Sequence, residues 1–308
     1  MRVLVTGGAG FIGSEVTRGL LASGHDVVVL DDLSSGYAHN LDERVEFVEG
    51  SVVDADAVTR ASAGVGAIVH LAALVSVPQS IDDPVDCHDR NATGTVCVLE
   101  AARAEGAQVI VASSSAVYGS NPKLPKNERD WVRPLTPYAS TKLYAEQAAL
   151  AYQSSFGMDT LALRFFNVYG PRQDQNHPYA AVVPMWVYSI LTGQPLYVNG
   201  DGTITRDFIY VGSLAALITD AVNRRVSHPE PVNAAFGTET SLLDLIAALE
   251  ATTGRTAEVV FREPRAGDVQ KSLADNQVML DLFPDVAPVP LADGLAQTVA
   301  WFEDHLSS

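Results

Sequence analysis

Tyr138 and Lys142 stand four residues apart in "TPYASTKLYAEQ", behind Pro137 and at the start of a run with helical texture. Residues i and i+4 share a helix face, so the phenol and the ammonium project to the same side. A free phenol ionises near pH ~10 and is a poor base at neutral pH. Bringing it to ~7 needs about 4 kcal/mol, which one cation at about 4 Å in a partly buried site supplies. A half-buried Tyr beside a solvated Lys is the alternative reading of such a pair taken alone. A second chemical feature is the hydroxyl cluster Ser113, Ser114 and Ser115 in "VASSSAVYG", at the end of an apolar run. A third is "TGGAGFIG", with Gly7, Gly10 and Gly13 spaced as G-x-x-G-x-x-G between a strand and a helix. Such glycines let a backbone turn tightly against a pyrophosphate, whose charge the helix N-terminus stabilises. Asp31, eighteen residues after Gly13 in "VVVLDD", can accept from ribose hydroxyls and would repel a 2′-phosphate, which favours NAD over NADP.

The elements that must position these groups are readable. "RVLVT" reads as a strand, "FIGSEVTRGLLASG" as a helix ending at Gly24, and "DVVVL" as a second strand. "VEFVEG", "AIVHLAA" and "AQVIVASSS" continue the strand series, with helical stretches such as "NATGTVCVLEAARAEG" between them, and "TLALRFFNVYG" follows the Tyr138 helix. Near-continuous apolar strands separated by helices imply a parallel sheet covered on both faces. After Gly170 the texture becomes more polar and broken: a loop "PRQDQNHPYAAVVP", then "GDGTITRDFIYV", a helix over about 241–253, and "REPRAGDVQKSLADNQ". The expected fold is α/β, a Rossmann-type doubly wound parallel sheet with a smaller C-terminal α/β substrate-binding lobe. The expected division is a dinucleotide domain over 1–170 with a return segment at about 206–232, and a substrate lobe from 171–205 and 233–308.

The bulk numbers bound the partners. The chain has 308 residues, 47% hydrophobic, with a net charge of −17; only four of its twenty basic residues are Lys. That is ample for a large core, and the acidity speaks for solubility and against nucleic acid. Cys87 and Cys97 are the only cysteines, so a disulfide framework is not expected; no metal site is expected either. A reducing cytoplasm fits this usage. No apolar run approaches a membrane span and the N-terminus lacks signal-peptide features, so no membrane partner is expected.

Together "TGGAGFIG", "DDLSSG", "HLAA", "NATGT", "SSSAVYG", "PYASTK", "RFFNVYGP", "GDGTITRDFIYV" and "RAGDVQKSLAD" give the chain an end-to-end resemblance to the extended short-chain dehydrogenases/reductases. Within them it resembles the UDP-glucose/UDP-N-acetylglucosamine 4-epimerase family. The resemblance implies NAD retained through the cycle and a UDP-sugar whose C4 is oxidised to a ketone, turned over and reduced from the other face. Tyr138 is then the base, Lys142 its cationic partner and Ser115 the hydroxyl bonded to the reacting oxygen. For the cofactor it implies Gly7, Gly10 and Gly13 at the pyrophosphate and Asp31 at the ribose, with Phe11, Ile12, Asp32, Ser35 and Gly36 also in contact. Ser51 and Val52 fall at the adenine. Leu71, Ala72, Ala73, Asn91, Ser113, Tyr138, Lys142 and Phe165 line the rest. For the substrate it implies Val75, Ser115 and Val183, with Asn167, Arg206 and Arg265 on the diphosphate, Asp268 on the uridine ribose and Tyr197 stacking on uracil. Ser272 falls at the gatekeeper position beside the sugar 2-substituent, where a small residue leaves room for an N-acetyl group. A homodimer through the helices at about 91–105 and 138–155 is also implied.

Three departures stand out. Gly50-Ser51 replaces a frequent "GD" at the adenine pocket, and Val75 replaces a Lys found in some members beside the pyrophosphate; both bear on cofactor affinity. Ser114-Ser115-Ala116 stands where related dehydratases have Thr-Asp-Glu, removing the acid pair that water elimination needs. Other UDP-sugar dehydrogenases, reductases or decarboxylases of the superfamily, and a non-catalytic dinucleotide-binding regulator, are the competing readings.

Overall fold

The computed structural model describes residues 1–174, 181–264 and 270–306. In chain order the first half runs β1 (Arg2–Thr6), α1 (Phe11–Ala22), β2 (Asp26–Asp31), β3 (Glu46–Glu49), α2 (Ala55–Ser62), β4 (Ala67–His70), α3 (Val77–Asp82) and α4 (Pro84–His88). After a π-turn at Asp89–Thr93 come α5 (Gly94–Glu105), β5 (Gln108–Ser114), α6 (Pro137–Phe156), β6 (Thr160–Phe165) and β7 (Asn167–Tyr169). The second half holds α7 (Val182–Thr192), β8 (Leu196–Asn199), β9 (Thr205–Arg206), β10 (Phe208–Tyr210), α8 (Val211–Asn223) and β11 (Val232–Ala234). It closes with β12 (Thr240–Ser241), α9 (Leu242–Thr253), β13 (Val259–Arg262), α10 (Gln277–Leu282) and α11 (Leu291–Leu306).

Seven strands form one parallel sheet in the order β11-β6-β5-β4-β1-β2-β3. Alternation assigns the two faces. Val3, Val5, Val27, Val29 and Val69 pack with Leu20 of α1 and Leu217 and Ile218 of α8. Leu4, Val28, Leu30 and Ile68 pack with Val58 of α2, Val98 of α5 and Ala145 of α6. This is the doubly wound arrangement, with the strand order reversing between β1 and β4, where such sheets bind ligands at their C-terminal ends. A further core joins α7, α9, α11 and β8 through Trp186, Leu196, Leu249 and Phe302.

The strand expected as one piece over "TLALRFFNVYG" is two. β6 ends at Phe165 in the main sheet, and β7 leaves it to pair with β10. The helix expected near 241–253 begins at Leu242, with Ser241 as a capping box partner of Asp244.

A cleft at the carboxyl edge of the sheet

A cleft of about 700 Å³ lies at the strand ends and runs from the glycine loop to Tyr138. At one end Gly7, Gly10, Phe11, Ile12 and Gly13 form its wall. Gly7 has φ +72°, and a Cβ there would sit 2.7 Å from the Ala72 nitrogen; at Gly13 it would sit 2.0 Å from the Gly7 oxygen. No side chain caps α1 and its first turn has no acid, so its partial positive charge faces the cleft. Asp31, in the same wall, accepts from the Ala9 and Leu33 nitrogens, both at 2.9 Å. Burial pushes its carboxyl up from the usual range while these two bonds pull it down. The backbone cradle, the helix terminus and this carboxylate fit a dinucleotide carrying a free 2′-hydroxyl.

At the other end Tyr138 and Lys142 extend from the start of α6, which Thr136 caps through the Ala139 nitrogen. The Tyr138 nitrogen also donates to Ser80 Oγ at 3.2 Å. The Lys142 side chain is buried, and its Nζ donates to the Ala112 carbonyl at 3.0 Å. Burial lowers its pKa to about 8. Burial raises the Tyr138 phenol above its ordinary value; a hydrogen bond with Ser114 opposes that rise, and the neighbouring Cys87 thiol adds to it.

The hydroxyl beside the phenol is therefore that of Ser114, and the expectation for Ser115 is corrected. Ser114 ends β5 and lines the cleft; Ser115 opens the following 3-10 turn and is outside the wall. Alternation along β5 turns Ser113 the other way, toward Glu146 at 2.8 Å. Arg164 grips Glu146 with two bonds of 2.8 and 2.7 Å in a fully buried pair.

Asp32, Ser35, Ser51, Val52, Leu71, Ala72, Ala73, Val75, Ser113 and Phe165 all line the cleft. Gly36 and Asn91 do not. Gly36 packs on the glycine loop, where a Cβ would lie 2.8 Å from the Ala9 carbonyl carbon. Asn91 is buried and clamps Leu74, accepting from its nitrogen at 2.7 Å and donating to its carbonyl at 3.0 Å. Among the expected substrate residues, Asn167 donates to the Asp207 carbonyl and Arg206 to the Thr205 carbonyl. Val183 is buried in the α7–α9 core. The Tyr197 ring carries the Arg262 guanidinium 3.4 Å from its centroid. The Ser272 nitrogen donates to the Thr205 carbonyl at 3.2 Å, and Ala274 bridges to Lys126. Arg265 and Asp268 lie outside the described residues. Sequence reasoning missed Ser76, Gln79, Arg90, Phe166, Gln173 and Asp174, which also line the cleft. Most of these sit in loops, where no periodicity marks them. Among the described residues no group of His, Cys, Asp and Glu could hold a metal, and no helix is long and apolar enough to cross a membrane.

The model of the NAD dependent epimerase/dehydratase family matches residues 3–235. The chain is 39% identical over 315 residues to a UDP-glucose 4-epimerase of Mycolicibacterium smegmatis, covering 99% of each chain. Among solved structures it resembles a UDP-N-acetylglucosamine 4-epimerase of Methanobrevibacter ruminantium in complex with UDP-N-acetylmuramic acid, with TM-score 0.93, 35% identity and 99% and 98% coverage. It also resembles the UDP-glucose 4-epimerase of Thermotoga maritima with UDP-glucose, with TM-score 0.93, 34% identity and 99% and 100% coverage.

Proposed function

We propose, for a chain that belongs to the NAD dependent epimerase/dehydratase family, inversion at C4 of UDP-N-acetylglucosamine and UDP-N-acetylgalactosamine, with UDP-glucose and UDP-galactose also accepted. The coarser reading, an NAD-dependent UDP-sugar 4-epimerase, rests on the relatives and on Tyr138, hydrogen-bonded with Ser114, lining the same cleft as Lys142. Bound NAD supplies reversible two-electron oxidation at the sugar C4. Gly7, Gly13 and the α1 terminus hold its diphosphate, and Asp31 its ribose. The Tyr138 phenolate takes the C4 hydroxyl proton and returns it after the sugar has turned over. Ser114 donates to the phenol oxygen, and Lys142 supplies the positive charge that favours phenolate. Arg206, Arg265 and Asn167 are assigned to the UDP diphosphate, Asp268 to the uridine ribose and Tyr197 to the uracil. A dehydratase reading lacks support. Around Tyr138 the wall offers serines, and the nearby Glu146 is spent on Arg164.

The finer substrate reading rests on Ser272, a partly buried small side chain on a run fixed by Thr205 on one side and Lys126 on the other. A Tyr ring there would fill the space an N-acetyl group needs, and such overpacking costs roughly 1–3 kcal/mol. Wild-type protein should convert UDP-N-acetylglucosamine without net absorbance change at 340 nm. Ser272→Tyr should lose that conversion and keep UDP-galactose turnover. A wild type inert on the acetylated sugars, or a Tyr variant active on both, overturns the substrate reading. Stoichiometric reduction of added NAD overturns the epimerase itself.

A further inference from the structure

We propose that Arg90 is a clamp on the adenosine half of bound NAD and sets how long the protein retains it. The proposal rests on NAD lying in the cleft with its diphosphate on the glycine loop. Arg90 belongs to the π-turn just before Asn91, and its side chain reaches across to the loop after β2. Nε donates to Asp86 Oδ1 at 2.8 Å, Nη1 donates to Ser34 Oγ at 3.2 Å, and Asp32 Oδ2 stands 3.5 Å from Nη1. Ser34 is itself tied to Asp32 by two bonds, from its nitrogen at 3.0 Å and its hydroxyl at 2.5 Å. The guanidinium thus joins two walls, one carrying α4 and one carrying the ribose-binding carboxylate.

Three observations give this bridge a ligand. First, Arg90 lines the cleft together with Gly50, Ser51 and Val52, on the side where a ribose held by Asp31 would send its purine. Second, the aromatic rings in the described wall are Phe11, Tyr138, Phe165 and Phe166, and none comes from β2, β3 or the loops that follow them. A purine there has one flat partner, the guanidinium plane, which stacks on π faces as an ammonium does not. Third, the cations in the described wall are Arg90 and Lys142, and Lys142 is committed to the Tyr138 end. In a chain of net charge −17, that leaves Arg90 as the cation of the described wall on the Asp32 and Ser34 side of the cleft. Its side chain keeps 35% of its surface exposed, so the bridge can open to admit NAD and close again.

The test is release of isotopically labelled NAD from the loaded protein into excess unlabelled NAD, for wild type, Arg90→Leu and Arg90→Lys. Arg90→Leu should release NAD about fivefold faster, the size of a partly exposed ion-pair and stacking contact, and should leave gel filtration with less NAD per chain. Arg90→Lys should fall between, because it keeps charge and loses the plane. Ser34→Ala, which breaks the bridge from the opposite wall, should move release in the same direction if Arg90→Leu does not fold. Leu and Ala variants that release NAD at the wild-type rate overturn the clamp, and a Lys variant as retentive as wild type overturns the stacking. Wild-type protein that neither contains nor takes up NAD overturns the cofactor placement beneath it.

Discussion

At the catalytic end burial acts on both members of the Tyr138–Lys142 pair in the same sense, against charge. It raises the phenol and lowers the ammonium to about 8. A phenolate at neutral pH therefore needs more than Lys142, and Ser114 supplies a hydrogen bond in the required direction. Tyr138→Phe should keep its NAD and lose at least ~10²-fold in turnover, the size of general-base catalysis. Ser114→Ala should lose turnover by more than tenfold, while Ser115→Ala stays within about threefold, since only the first removes the hydrogen bond to the Tyr138 phenol. Steady-state rates on the same UDP-sugar check all three, and equal losses at Ser114 and Ser115 would return the role to Ser115. The mistaken choice between these two serines has a physical source. Three hydroxyls in a row read alike until the strand's end is known, and that end depends on Ser114 capping the next turn through the Ala116 nitrogen. Tyr138, Lys142, Gly7, Gly13 and Asp31 were legible as cleft residues because regular spacing along the chain places them there. Gln79 reaches the cleft from the short α3 and Arg90 from the π-turn after α4, and nothing local marks them.

Between the elements a chain of hydrogen bonds ties the two ends of the cleft together. Thr6 of β1 accepts from the Leu71 and Ala72 nitrogens, both at 3.2 Å, and donates to His70 Nδ1 at 2.8 Å. His70 Nε2 then donates at 3.0 Å to Thr95 of α5, which donates to the Asn91 carbonyl at 2.5 Å. Asn91 in turn donates to Thr141 of α6 at 3.0 Å, one residue before Lys142. This chain needs a neutral imidazole. Burial, helped by the Lys142 charge, holds the His70 pKa down to about 3. In the unfolded chain the same ring titrates near ~6.5. Below that pH the unfolded state binds the extra proton, so stability is complete above about 6.5 and is lost as pH falls toward about 3. His70→Gln keeps a donor and an acceptor without the proton site. Urea unfolding midpoints from pH 7 to pH 4 should fall less steeply in the variant than in wild type. Parallel curves would mean that His70 adds nothing to the acid sensitivity. The sheet itself was legible because β1, β2, β4 and β5 are continuous apolar runs. The break between β6 and β7 was not, because Phe165 and Phe166 continue the apolar run while the chain changes sheets.

At the scale of the whole molecule, acidity and an apolar helix face pull in opposite directions. A net charge of −17 keeps copies apart in water, and the charged groups on most of the surface serve that end. The outer side of α6 departs from it. On this side Tyr144 is 46% exposed, and Val85 on the adjoining α4 is 68% exposed. Tyr144 and Ala151 lie two helical turns apart on one face, and the His88 ring leans on Tyr144 at 6.4 Å. Large apolar side chains gathered on one face mark an association surface more often than scattered ones do. A second copy of the same chain, meeting α5 and α6 about a twofold axis, would cover this face with its own equivalent. Covering the 46% of Tyr144 that is still exposed contributes roughly 1 kcal/mol per copy. A glutamate in its place would instead bring two like charges into the same contact. Wild-type protein should therefore sediment at twice the 32.8 kDa chain mass, and Tyr144→Glu should shift toward the single chain as it is diluted. The substitution is on the outer side of the helix, away from the cleft, so the variant should still bind NAD. A wild type that sediments as one chain at every concentration, or a Glu variant that stays as tightly paired as wild type, overturns the assignment of this face.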